Sequence, residues 1–342
     1  SLQKDSKGNI LSYKLDSNPS YFGKKPYISK IIFKFYADED SALNALNKKE
    51  IMGINVISPP KIKDINKKKV TIYKLKLLSY FAVFFNQTKS IPLADNKVRQ
   101  ALSYATNRQE IIKKVLDGSG QPVYSLFLPG MIDYSQSSAH SQFNLNKANQ
   151  ILDSDGWKKG QAGFRGKDGV GLEINLVTTD WNELTETANL LKDQWEKIGV
   201  KVEVNAYSLS DIQQNYIRPR EYEALLFGQV VSSYDNPDFY SFWHSSQKKD
   251  PGINLSSFGD SDSDKLIEEG RTEFDIQKRI QDYINFQHIF SQKIPAIFIY
   301  SPLYIYPVNN KVKGINLENL VSPSNRFANI NDWYIKTKRV RK

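Results

Sequence analysis

The chain has no cysteine at all. That excludes a disulfide scaffold, a thiolate zinc site and a cysteine nucleophile. It has three histidines, His140, His244 and His288. They are far apart and show no HExxH spacing, so a histidine-rich metal site is not expected and no metal or other cofactor is assigned. Long hydrophobic runs are missing too. The longest apolar-rich stretch, 295–308, is broken by Ser301 and Pro302 and falls short of the ~18 residues that suggest a membrane span. The opening SLQKDSKGNI has no apolar stretch behind a basic start and does not read as an export signal. The segment 14–32 that follows reads as a loop leading into a strand, so the chain starts as if inside a domain.

What is present is ordinary globular composition: 40% apolar, 25% charged, over 342 residues. At ~150 residues per domain this suggests two domains. The formal charge is +10 from 47 Lys and Arg against 37 Asp and Glu. Much of it is local. Residues 61–76 hold seven lysines and one aspartate, and 336–342 hold five basic residues and no acid. The chain therefore reads as a near-neutral body with a basic loop and a basic tail. A nucleic-acid partner, which would need a basic face across folded elements, is not expected. Contact with an anionic membrane surface is the alternative to simple solvation.

Periodicity predicts a mixed α/β chain. Ile31–Tyr36 is a short strand. A helix over 38–50 is capped by Ser41, with Ala42, Leu43 and Leu46 inward. Strands are predicted over 54–57, 70–75 and 80–86. Asp95 caps a helix carrying Val98, Ala101, Leu102 and Ala105. Asn107 starts another, with Glu110 placed to complete a capping box. Residues 119–143 read mostly as loop, and 147–152 as a short helix. The Gly-rich 160–171 reads as a hairpin turning at Asp168-Gly169. Strand 172–179, helix 183–198 and strand 200–206 suggest a βαβ unit. Beyond it come a short helix (210–216), a buried strand (222–230), a helical turn (238–244), two helices (261–271 and 275–293) and two strands (296–300 and 304–308).

Most candidate chemistry fails on spacing. Asp260, Asp262 and Asp264 alternate like a calcium loop, but Lys265 and Arg271 stand where Gly and Glu are required, which leaves an acidic helix N-terminus. His244-Ser245, or His244 with Asp235, could serve a hydrolase, but no G-x-S-x-G elbow exposes the serine. Gly160, Gly163 and Gly166 match neither a P-loop nor a dinucleotide fingerprint. No catalytic residue is assigned. The segment Phe227–Phe242 (FGQVVSSYDNPDFYSF) is different. A buried strand runs into a small polar turn, Gly228 permits close approach of another backbone, and Ser232 to Asn236 offer donors and acceptors at the strand end.

Several ordered segments together resemble one family, the bacterial extracellular solute-binding proteins of family 5, peptide-binding components of ABC importers. IPLADNKVRQALSYATNRQEIIKKVLDGSGQPV (91–123) is similar to the family segment that opens the second lobe, through Pro92, Asp95, Val98, Arg99, Gln100, Ala101, Ala105, Arg108, Ile111 and Ile112. NPSYFGKKPYISKIIFKF (18–35), SALNALNKKEI (41–51), YEALLFGQ with DNPDFYSFWHSSQ (222–247), SDKLIEEGR (263–271) and IPAIFIYSPLYIY (294–306) follow in order. The resemblance implies a two-lobe, Venus-flytrap, type II periplasmic-binding-protein fold. Residues 1–85 would form part of the first lobe, 86–299 the second, and 300–342 the return into the first. A complete member carries further N-terminal sequence, with an export signal and often a lipid-anchoring Cys, so this chain is expected to lack that portion and hold the first lobe only in part.

The resemblance also implies a binding protein rather than an enzyme. It would be a monomer on the extracellular face of the membrane or in the periplasm, serving an ABC permease and possessing a membrane tether through the absent N-terminus. The implied ligand is an extended peptide held between the lobes mainly by main-chain hydrogen bonds, with a sugar or metal chelate as the alternative cargo. The residues implicated are Phe85 and Asn86 near one crossover, and Gly228, Gln229, Val230, Val231, Ser232, Ser233, Tyr234 and Asp235 along the binding strand. One departure stands out. Some oligopeptide binders have Asp where this chain has Ser233, and Trp where it has Val230, so the amino-group anchor would have to be Asp235 or lie elsewhere.

Overall fold

A computed structural model describes residues 1–128, 131, 142–233, 237–317 and 319–335. The expectations for His140, Tyr234, Asp235, Asn236 and the basic tail 336–342 lie outside the described residues. The chain separates into two compact units, unit 1 formed by Ser1–Leu77 with Leu303–Lys342, and unit 2 by Leu78–Pro302. Relative to the expected boundaries at 85/86 and 299/300, this assigns the strand over 79–85 to unit 2.

Unit 1 opens with an antiparallel meander of β1 (Leu2–Lys4), β2 (Ile10–Asp16) and β3 (Lys30–Lys34), none of whose residues is buried. Helix α1 (Glu39–Asn47) follows. Its cap is Asp38 and not Ser41: the Asp38 carboxylate accepts the Ser41 N–H at 2.7 Å, which leaves Glu39 and Asp40 in the first turn, where their charge complements the positive end of the helix dipole. Leu43 and Leu46 pack on Ile54, Ile57, Ile65, Val70 and Ile305. The strand expected over 54–57 does not form. Only Gly53 bridges Val308, and Pro59-Pro60 then open a 3₁₀ turn, Pro59–Asp64, where missing N–H groups cost nothing. Strand β4 (Val70–Leu77) ends this part.

Unit 2 begins with β5 (Ser79–Phe85), α2 (Ile91–Ala94) and α3 (Asn96–Ala105), the last capped by Asp95, which accepts from Lys97 N at 2.8 Å. Asn107 caps α4 (Arg108–Val115), accepting from Glu110 N at 3.1 Å. The return arm of the capping box is absent because the Glu110 carboxylate is taken by Lys114 and by Gln194 Nε2. Then come β6 (Gly120–Pro122), α5 (Leu145–Ser154) and the small sheet β7 (Lys158–Lys159), β8 (Arg165–Lys167), β9 (Val170–Gly171). Its turn lies at Asp168-Gly169, both at positive φ, as the sequence signal requires. Strand β10 (Glu173–Thr179), α6 (Asn182–Glu196) and β11 (Lys201–Tyr207) form the predicted βαβ unit, with the two strands parallel. Helix α7 (Leu209–Ile212) widens into a π-turn over Gln213–Ile217, so the short helix expected at 210–216 is not regular. Strand β12 (Ala224–Val230), α8 (Tyr240–Trp243), α9 (Ser261–Thr272) and α10 (Ile276–Lys293) complete the layer.

The two strands expected at the end are one, β13 (Ala296–Asn309). Pro302 interrupts the hydrophobic run but not the strand. It falls between the stretch paired with β5 and the stretch paired with β4, where no ladder bond to either is lost. Strands β14 (Val312–Lys313), β15 (Asn319–Leu320) and β16 (Tyr334–Ile335) finish unit 1, where β4 lies between β13 and β15.

In unit 2 the sheet order is β11-β10-β12-β5-β13, with β6 against β13. Helices α3 to α6 cover one face around Val83, Phe85, Leu102, Leu191 and Trp195. The other face carries an aromatic cluster in which Trp243 meets Phe290 at 4.5 Å and Phe84 at 6.0 Å. The two arginines of the 91–123 segment are buried staples. Arg99 donates to the carbonyls of Leu93, Ala94, Lys293 and Ile294, closing the ends of α2 and α10. Arg108 Nε donates to Val123 O and Phe298 O. Among the described residues no helix is long and apolar enough to cross a membrane.

Candidate functional site

Strand β12 pairs with β5 along its whole length, from Ala224↔Phe85 to Val230↔Ser79. On its other side it pairs with β10 only at Leu176↔Ala224 and Val177↔Leu225. Beyond that point the two parallel strands part, although β10 continues beside β11 to Thr179. The Thr178 hydroxyl donates to Leu226 O at 2.9 Å and takes the place of the next ladder bond. Asn86 N donates to Glu223 O and Val231 N to Leu78 O, so the odd-numbered main-chain groups of this segment turn toward β5. Main-chain direction alternates along a strand. The N–H and C=O groups of Gly228 and Val230 therefore turn to the opposite, open edge, and Ser232 follows at a bend just past the strand end.

The side chains there leave the edge accessible. Gly228 sits directly opposite Phe81. A Cβ at Gly228 would come within 2.7 Å of the Phe81 ring, so glycine lets that ring lie across the strand, where it meets Tyr300 at 5.3 Å. Val230 is 58% exposed and Ser232 is exposed. Gln229 and Val231 point to the other face and are buried. The Gln229 amide is pinned there, accepting the Tyr80 hydroxyl and donating to Ile253 O at 3.2 Å. Burial pushes the Tyr80 phenol well above its ordinary pKa, so it stays neutral and able to donate. Thr179, which ends β10 beside the gap, has a buried hydroxyl with no partner among the described residues.

The structure brings Gly228 and Val230 together on one edge, with Ser232 and Ser233 following in the chain just past the strand end. Phe85 and Asn86 are not part of that group. They lie at the far end of β5, opposite Ala224 and beyond, about 20 Å along the strand. Phe85 is core, and Asn86 is a buried strut whose Nδ2 donates to Arg220 O at 3.0 Å. Nothing local in the sequence marks Thr178 or Phe81, because their part depends on register across strands.

Of the two hydrolase pairings, His244 with Asp235 lies outside the described residues, and His244 with Ser245 is not built. Ser245 donates to Asp264, not to His244. The His244 Nδ1 accepts the Ser246 N–H at 3.1 Å and its Nε2 meets Glu268 at 3.1 Å, so the ring serves as a cap on a 3₁₀ turn. Asp260 caps α9 through Ser263 N at 3.0 Å, as the acidic helix start implied. No group of three His, Cys, Asp or Glu among the described residues could hold a metal ion. A partly open pocket beside Arg108 and Gln287 measures ≈ 50 Å³, room for water but not for a peptide residue.

A family model described as bacterial extracellular solute-binding proteins, family 5, middle, matches residues 4–251. The oligopeptide-binding protein AppA of Bacillus subtilis is 28% identical over 328 residues, covering 94% of this chain and 59% of its own. The dipeptide-binding protein of Escherichia coli is 26% identical over 315 residues, covering 92% and 57%. The chain thus spans under three fifths of these curated relatives. The structure of Bacillus subtilis AppA in complex with a nonapeptide superposes with a TM-score of 0.76 at 26% identity, covering 98% of this chain and 66% of that one. Campylobacter jejuni NikZ, in complex with Ni(L-His), shares the fold with a TM-score of 0.78 at 24% identity.

Proposed function

The chain belongs to the bacterial extracellular solute-binding proteins of family 5, and from that premise we propose that it is the larger part of a peptide receptor for an ABC importer. The observation that carries this reading is the open edge of β12. An extended peptide added there takes the main-chain groups of Gly228, Val230 and Ser232 as a strand would, which tolerates many side-chain sequences. Phe81 and Val230 give it an apolar floor. The missing bond partner between β10 and β12 is the place such a strand would fill. Ser233, Tyr234 and Asp235 extend the segment, and Asp235 is the carboxylate proposed to meet the peptide amino group. The receptor delivers its ligand to a membrane permease, acts outside the cytoplasm and is held at the membrane by sequence outside this chain.

Native mass spectrometry of the freshly purified full-length protein, followed by calorimetry with peptide pools, tests the proposal. A ladder of co-purified peptide masses and saturable peptide binding is expected. Binding of a sugar or a metal chelate with no response to any peptide would overturn it and select the other cargo class.

A further inference from the structure

The formal charge is not spread evenly over the two units. Unit 1 holds 24 Lys and Arg against 9 Asp and Glu, a formal +15, while unit 2 holds 23 against 28, a formal −5. Eleven of unit 1's fifteen charges lie in 61–76 and 336–342; the near-neutral remainder expected from the sequence divides into +4 in unit 1 and −5 in unit 2.

Within unit 1 the fold gathers lysines from separate stretches. Asn47, the last residue of α1, donates from Nδ2 to Asp64 O at 3.0 Å and accepts the Asn66 N–H at 3.1 Å. This sets Lys48 and Lys49 next to the turn over 66–69. Asn310 donates its N–H to Lys69 O at 3.0 Å and its Nδ2 to Lys68 O at 3.2 Å. This sets Lys311 next to the same turn. Lys48, Lys49, Lys63, Lys67, Lys68, Lys69 and Lys311 are all exposed. None of them is in an ion pair among the described residues, whereas Lys61 nearby is tied to Asp40 and Glu39. The only acids in these stretches are Glu50 and Asp64.

Seven like charges held on short hydrogen-bonded turns repel one another and gain from an external anionic surface. The stretches 47–50, 63–69 and 310–311 contain no arginine fork to read bases or phosphates bidentately and no aromatic ring for bases to stack on. Their chemistry suits a diffuse layer of phosphates rather than a nucleic acid. The family is described as extracellular, and the anionic phospholipid headgroups of the membrane are one phosphate layer such a face can meet. We propose that this lysine face of unit 1 seats on an anionic phospholipid surface.

The test is co-sedimentation of the 342-residue chain with vesicles of phosphatidylglycerol and phosphatidylcholine. Binding is expected at about 20 mM salt, with a loss of at least roughly tenfold by about 300 mM and none to phosphatidylcholine alone. The triple variant Lys67→Glu, Lys68→Glu, Lys69→Glu should lose roughly tenfold or more, with its circular dichroism and melting unchanged. Lys113→Glu, Lys147→Glu, Lys249→Glu in unit 2 makes the same change in net charge and should bind as the parent does. Should the first triple variant fail to fold, Lys68→Gln with Lys311→Gln replaces it, and a smaller but measurable loss is expected. Equal loss in the unit 2 variant, equal binding to neutral vesicles, or tighter binding of duplex DNA at the same salt would each overturn the proposal.

Discussion

Unit 2 buries thirty apolar side chains in one cluster on a single face of its sheet, while unit 1 divides its buried apolar residues into two clusters of seven, counted among the described residues. Unit 1 also opens with three strands that bury nothing and expose Leu2, Ile10, Leu11, Tyr13, Leu15 and Ile32. One unit is acidic and closely packed, and the other is basic and thinly packed. The difference teaches that packing and surface charge need not be distributed together. The candidate ligand edge sits on the well-packed unit, where a fixed strand can offer its main chain without rearrangement, and the unpaired lysines sit on the other.

The sharpest way to break this comparison is to damage each core in turn. Phe85→Ala, at a fully buried position of unit 2, should cost about 3–5 kcal/mol, and Leu46→Ala in unit 1 about 2–5 kcal/mol. Calorimetry should show two transitions, the first variant lowering the upper and the second the lower. One transition that responds equally to both would erase the distinction. A smaller effect tests the open edge. The Val230 N–H turns away from β5, so Val230→Pro removes one donor from the ligand edge and spares the ladder. Peptide affinity in calorimetry should fall about threefold to tenfold, corresponding to one hydrogen bond of ~1 kcal/mol. Gln229→Pro, which removes a donor facing β5, should instead lower the melting temperature. If both variants behave alike, the assignment of the edge fails.

The smallest expected effect concerns pH within unit 2. The buried Arg165 donates to Asp153 at 2.6 Å, and this hydrogen bond holds the carboxyl below its usual range. Such a group stabilises the fold above its unfolded pKa, ~3.9, and loses that contribution as pH falls through its lowered folded value. Melting curves between about pH 2 and pH 6 should converge for the parent and Asp153→Asn at the acid end and separate slightly above about pH 4. Curves separating only at the acid end would contradict the pairing.

Local features were legible in the sequence. Asp95, Asn107 and Asp260 cap the helices they precede, because a cap needs only a side chain two or three residues from an open N–H. The Asp168-Gly169 turn was readable for the same reason. Ser41 was displaced as a cap by Asp38, which satisfies the same rule three residues earlier. Gly228 was found from its residue type, but its neighbour Phe81 was not, since the pairing joins strands far apart in sequence. The open edge itself depends on where β10 leaves β12, and only Thr178 and the strand register set that point. Phe85 and Asn86 entered through their place in a family pattern, and the register then carried them into the core and to the far end of β5. The lysine cluster was half visible, as a run over 61–76, while Lys48, Lys49 and Lys311 join it only through Asn47 and Asn310.

The nested chain order has a kinetic consequence. Unit 2 is continuous in sequence, whereas unit 1 is completed only by the segment that begins at Leu303. As the polypeptide emerges from a ribosome or a translocation pore, every residue of unit 2, including β12 and the strands beside it, is present before β4 can meet the second half of β13. Domains condense as units once their residues are available. The unit that carries the candidate ligand edge can therefore mature first, while the first stretch of unit 1, with its uncovered strands, waits for the segment from Leu303 to arrive.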